Sequence, residues 1–190
     1  MSSTSTPFGL RPVYSPMGIP RPFSGQIKSG YAANLFQFQP IRQGLSGDSG
    51  SVEGYIVASA AGEAMLGTFM GVEYVDATGR QRVSNYWPTG TTGTNIITYY
   101  TFDSTIVYEI QGNAALSIAN IGNQYNTTAV SGNTTTGLCT MQLDVSSGTT
   151  NAQLRVIGLS SYVDNAWGDS YTIVQVQIAK HQNVATIAAY

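Results

Sequence analysis

The chain is poor in the residues from which active centres are most often built. It has one cysteine, Cys139, and one histidine, His181, among 190 residues. A single cysteine excludes an intrachain disulfide and a thiolate metal cluster, and it fits folding in a reducing compartment. One histidine and one cysteine do not make up the usual zinc ligand set, and no cofactor is expected. Charge is scarce as well: 9% of residues are Asp, Glu, Lys or Arg, against roughly a quarter in an ordinary globular protein. The formal net charge of −2 argues against a general nucleic-acid binder. No apolar run approaches the ~18 residues of a membrane span. The start also lacks the charged and apolar regions of a signal peptide. The Asn-Thr-Thr sequons at Asn126 and Asn133 are therefore expected to stay unmodified. Beyond residue 22 proline is nearly missing too, with only Pro40 and Pro88.

What is present is unevenly placed. Pro7, Pro12, Pro16, Pro20 and Pro22 crowd the beginning, interleaved with Phe8, Leu10, Val13, Tyr14, Met17, Ile19 and Phe23. Proline fixes φ, removes a donor and pushes the preceding residue to extended geometry. Residues 1–29 are thus expected to form an extended arm of low entropy. Such apolar side chains suit a segment laid along a surface: its own body, a sister subunit or another protein. Residues 1–42 carry Arg11, Arg21, Lys28 and Arg42 and no acid, whereas the remainder carries four basic and ten acidic groups. A basic arm on an acidic body implies that the two face different partners, or that the arm meets a neighbour's body.

The rest of the chain, 30–190, reads as an all-β body, a barrel or sandwich, with two halves near 30–95 and 96–190 as one division. Short apolar runs recur every eight to twelve residues between Gly, Ser, Thr and Asn turns. "NLFQFQPI" reads as a strand near an edge, where Pro40 is tolerated. Further strands are expected at 52–58 and 65–75, the latter turning at "DATG" into "RQRVSNYW" as a hairpin. "IITYYTF", "TIVYEIQ", "LCTMQLDV", "AQLRVIGLSSYV" and "YTIVQVQIAKH" follow. The last alternates Val174, Val176 and Ile178 with Gln175 and Gln177, the cleanest period of two in the chain. At most one short helix is expected, near 113–122.

Several short patterns invite a chemical reading. "GDSG" at 47–50 places Ser49 where a nucleophile would sit, but the triad would need His181 as its base, and Gly and Asp are ordinary turn residues. Gly44, Gly47 and Gly50 have the wrong spacing for a dinucleotide loop. Cys139 alternates with Met141 and Leu143, as a core cysteine would. The acids show no calcium-loop spacing. Trp87 in "NYWPTG" and Trp167 in "DNAWGDSY" are surface-loop candidates for sugar stacking, and loops anchored by a buried indole explain them equally well. No catalytic residue is assigned.

Three pieces in order, "PFGLRPV" at 7–13, "EAMLGTFMGVEYVDATGRQRVSNYWPTGT" at 63–91 and "AQLRVIGLSSYVDNAWGDSYTIVQVQIAKHQ" at 152–182, resemble the head decoration, or cement, proteins of tailed bacteriophages. The resemblance implies a virion structural protein and not an enzyme. Such a protein is made in the bacterial cytoplasm and added to the outside of the expanded capsid. It bridges neighbouring major capsid proteins against internal DNA pressure. It implies a homo-oligomer, with a trimer favoured, and neither nucleic acid nor membrane as a direct partner. Phe8, Leu10, Arg11, Pro12, Tyr14, Arg21 and Phe23 are the expected capsid- or subunit-binding strip. The alternative is another minor phage structural protein, a tail or head-surface adhesin with glycan-binding loops.

Overall fold

The computed structural model describes residues 2–184. In chain order the strands are β1 (Arg11–Tyr14), β2 (Phe23–Gly25), β3 (Pro40–Gln43), β4 (Ile56–Ala58), β5 (Gly67–Val75), β6 (Gln81–Ser84) and β7 (Thr94–Tyr100). They continue with β8 (Val107–Gln111), β9 (Gln124–Tyr125), β10 (Gly132–Asn133), β11 (Leu138–Cys139), β12 (Leu154–Leu159) and β13 (Ile173–Ile178). Two 3-10 turns, Ile118–Asn120 and Val145–Ser147, are the only helical pieces among the described residues. The fold is all-β. The helix expected over 113–122 is reduced to its last turn, where Asn120 caps back onto Ser117.

Eleven of the strands sort into two antiparallel sheets, and β10 pairs with β11 as a separate small hairpin. One has the order β2-β7-β5-β3-β4, with β6 added to β5; the other runs β1-β8-β13-β12-β9. Each wraps around its own core. Ile27, Leu35, Ile41, Phe69, Val72 and Trp87 fill the first. Leu10, Tyr108, Ile110, Leu154, Val174 and Val176 belong to the second. In the first, the two end strands are drawn together. The Ile56 N–H donates to Gln26 O at 2.8 Å and ties β4 to the end of β2. In the second, residues 142–144 lie between the ends of β8 and β9: Leu143 N–H donates to Gln111 O at 2.9 Å and Thr128 N–H to Gln142 O at 2.8 Å. Joined edges leave few backbone groups open to unwanted pairing.

The change of sheet comes between Tyr100 and Val107, so the boundary expected near residue 95 falls inside β7. "NLFQFQPI" also differs from expectation. Phe38 has φ of 65°, which breaks an extended run. The strand starts only at Pro40, and β3 lies between β5 and β4 rather than at an edge. A first strand residue needs no ladder donor, so proline is accommodated there. The β5–β6 hairpin forms about the Asp76–Gly79 turn, where Asp76 Oδ1 accepts from Thr78 N–H at 2.9 Å.

The two sheets are stitched along one seam. Met65 belongs to the second core although it precedes β5, and its N–H donates to Lys180 O at 3.0 Å. Phe36, Cys139 and Met141 form a third small cluster against Tyr86. Close approach is required at Gly67, where a Cβ would overlap the Thr101 carbonyl. It is required again at Gly9, whose φ of 75° and missing Cβ let Leu10 N–H reach Phe38 O at 2.8 Å.

Candidate docking surface

The arm is not a tail. Its residues 11–14 are an edge strand on β8 and its residues 23–25 an edge strand on β7. It therefore straps one sheet to the other. Within the expected binding strip this divides the residues sharply. Leu10 is fully buried in the second core and cannot face a partner, which corrects its assignment. The cause is the strand period: once Arg11–Tyr14 pairs with β8, the residue entering the strand points inward. Phe8 is half-buried, with the Arg11 guanidinium 4.6 Å from its ring centroid. Arg11 Nη2 donates to Glu109 Oε2 at 2.8 Å and also to the Tyr162 hydroxyl. That hydroxyl donates to the same carboxylate at 2.7 Å. Burial, then this carboxylate, pushes the Tyr162 phenol above its ordinary range. Pro12 faces Tyr108 across the ladder, on an edge where its missing N–H is harmless.

Tyr14, Arg21 and Phe23 are exposed. Phe23 leans on Phe102 with ring centroids 5.1 Å apart. Three further exposed apolar residues, Val13, Met17 and Ile19, lie outside the expected strip. A signal for two of them is present in the sequence: Met17-Gly18-Ile19 is bracketed by Pro16 and Pro20, which marks a turn whose apolar side chains have no strand to enter.

Two of the hollows border the arm's residues 11–23. One, of about 460 Å³, lies between Arg11, Pro12, Val13 and the Ser161–Tyr162 loop. Val163 beside it is completely exposed. The other, of about 710 Å³, lies between the arm's Met17–Phe23 stretch, Phe102–Ser104 and His181–Val184. Asp103 on its wall is held below the usual carboxylate range, first by the Thr105 N–H and then by the Thr105 hydroxyl.

The other candidates are absorbed by the fold. Trp87 is fully buried, with the Tyr74 ring edge-on at 5.1 Å, so it offers no face to a sugar; its assignment to a surface loop is corrected. The residues on either side, Tyr86 and Pro88, are half-buried, and the indole fills the first core. Trp167 is partly buried against the second core. Its loop is closed by Asn165, which donates to Ser160 O and Ile173 O at 2.9 and 2.8 Å and accepts from Ile173 N–H at 3.0 Å. Ser49 sits on an exposed turn, and Asp48 beside it is bound to Arg42. His181 is spoken for at both ring nitrogens: Nδ1 accepts from Asn183 N–H at 3.1 Å and Nε2 contacts Phe102 O at 3.0 Å. The Cys139 thiol is pushed up to about 12 by burial, which leaves little nucleophilic thiolate. No helix among the described residues is long and apolar enough to cross a membrane. No protein-family model, curated protein or solved structure matches this chain.

Proposed function

We propose that this chain is a capsid decoration protein of a tailed-bacteriophage head. It binds the outer face of the expanded shell, takes the major capsid protein as its partner and strengthens contacts between neighbouring capsomers without catalysing a reaction. The observation that carries the reading is a pair of exposed apolar segments, Val13–Tyr14 and Tyr162–Val163, brought to one hollow by Val13 and Tyr162, in a chain with few charges. Contiguous exposed apolar groups on a stable body mark an interaction surface. Few nearby charges need to lose water when such a surface is covered. Of the expected strip, Tyr14 belongs to this surface, and Phe8, Arg11 and Pro12 adjoin it on the capsid-facing side. Arg11 is already ordered by Glu109 and Phe8, so little side-chain entropy remains to be lost on binding.

Co-sedimentation of the full chain with expanded and unexpanded capsids tests this. Saturable binding to expanded shells alone is expected. A Val13→Ser/Tyr14→Ser double variant, changed only at exposed positions, is expected to bind ~10- to 100-fold more weakly, as loss of interface anchors does. Equal binding to both shell forms, or no loss in the variant, would count against the reading.

A further inference from the structure

We infer that two copies of this chain pair across a two-fold axis through the tips of their arms, each seating Met17 and Ile19 in the groove beside the other's tip. The inference deepens the oligomeric part of the decoration reading and rests on it.

The tip is stiff and fixed at its base. Gly18 N–H donates to Ser15 O at 3.0 Å and Met17 N–H to Ser15 Oγ at 3.2 Å. Ser15 is buried and bonds Thr105 Oγ1 at 3.0 Å. Pro16, Pro20 and Pro22 restrict what lies between. Yet Met17 is 81% and Ile19 87% exposed. A held turn that presents two large apolar side chains to water has already lost much of the backbone entropy that docking would otherwise cost.

The groove of about 710 Å³ offers matching walls: Phe23, Phe102 and Val184 are apolar, and Asp103 supplies an anion. The tip's single charge is the cation of Arg21. Arg21 and Asp103 border the same groove but form no ion pair with each other among the described residues. A neighbour's tip brings a cation to this anion, and the complement is exchanged in return. Projection and hollow share one patch, and an isologous two-fold contact requires such a self-complementary patch. One contact then covers both tips and both grooves. The threefold cluster expected from the phage resemblance would leave each copy using its tip on one side and its groove on another.

Sedimentation velocity of the full chain without capsids tests this pairing. A two-copy species is expected. Ile19→Glu, at a position too exposed to matter for folding, is expected to weaken pairing at least ~30-fold. Met17→Gln is the second variant. Arg21→Glu, which sets like charges against the partner's Asp103, is expected to weaken pairing at low salt and to recover partly at high salt. A single-copy or three-copy species overturns the inference, as does a pair indifferent to Ile19→Glu. A pair that ignores expanded capsids removes the decoration reading and leaves the pairing. A single copy that sediments with them does the reverse.

Discussion

Gln153 is fully buried, and its amide is used on both sides of the seam. Oε1 accepts from the N–H and hydroxyl of Thr127, both at 3.1 Å, while Nε2 donates to Ala60 O at 2.8 Å and Glu63 O at 2.9 Å. Gln153→Ala would leave a buried amide donor and two carbonyls without it. Denaturant unfolding should show a loss of ~2–4 kcal/mol; a loss under 1 kcal/mol would mean that water replaces the side chain. Nothing in the sequence singles out this glutamine, because its value lies in one turn some ninety residues upstream and in Thr127, 26 residues upstream. The same holds for Leu10 and Tyr14. Both are large apolar residues among prolines, and only the register against β8 sends one inward and leaves the other in solvent. Cys139 was legible, since its alternation with Met141 and Leu143 is a local pattern that the core preserves.

At the scale of elements, the arm is part of both sheets. Removing residues 2–25 would strip β1 from β8, β2 from β7, and Leu10 from its core. Loss of Leu10 alone is worth ~2–5 kcal/mol. The truncated chain should therefore lose its cooperative thermal transition by circular dichroism. A truncation that melts like the full chain would show that the strap is dispensable. For this reason point changes at exposed arm positions, rather than truncation, report on binding. Of the strands that were legible, β7, β12 and β13 show alternation over part or all of their length, whereas β5 and β8 are short apolar runs buried in blocks between turn residues. The stretch from 113 to 147 was not legible. It is held by single bridges such as Gly112 to Leu143 and Thr127 to Leu143, which join distant residues without any local repeat. "LCTMQLDV" looks like one strand for that reason, but only Leu138–Cys139 pairs as one.

For the molecule as a whole, two cores do not make two independent domains. Gln153, Met65 and the Phe36 cluster join them, and Tyr108, on the second sheet, reaches Thr101 at 2.9 Å. A single calorimetric transition is expected, with calorimetric and van't Hoff enthalpies equal. Its pH dependence follows from five depressed carboxyls. Asp48 is held down by Arg42, Asp76 by the Thr78 hydroxyl, Asp103 by the Thr105 N–H, Asp144 by the Ser146 hydroxyl and Asp169 by the Ser2 hydroxyl. Below the unfolded value of about 3.9 the unfolded chain binds more protons than the folded one. The stabilisation is present above that pH and is lost as pH falls through the lowered folded values. The melting temperature should hold between about pH 8 and 5 and fall below about 4. Two separate transitions, or a midpoint insensitive to acid, would contradict this picture.

The strap also sets an order in time. Residues 11–14 and 23–25 are synthesised long before the β8 and β7 strands they join. Ser2 bonds Asp164 O at 2.7 Å across 162 positions. With translation running at roughly 5–20 residues per second, the arm spends several seconds outside the ribosome with its apolar side chains unplaced. Pairings of such long sequence separation close late and slowly. The arm is thus seated only after the body has been made.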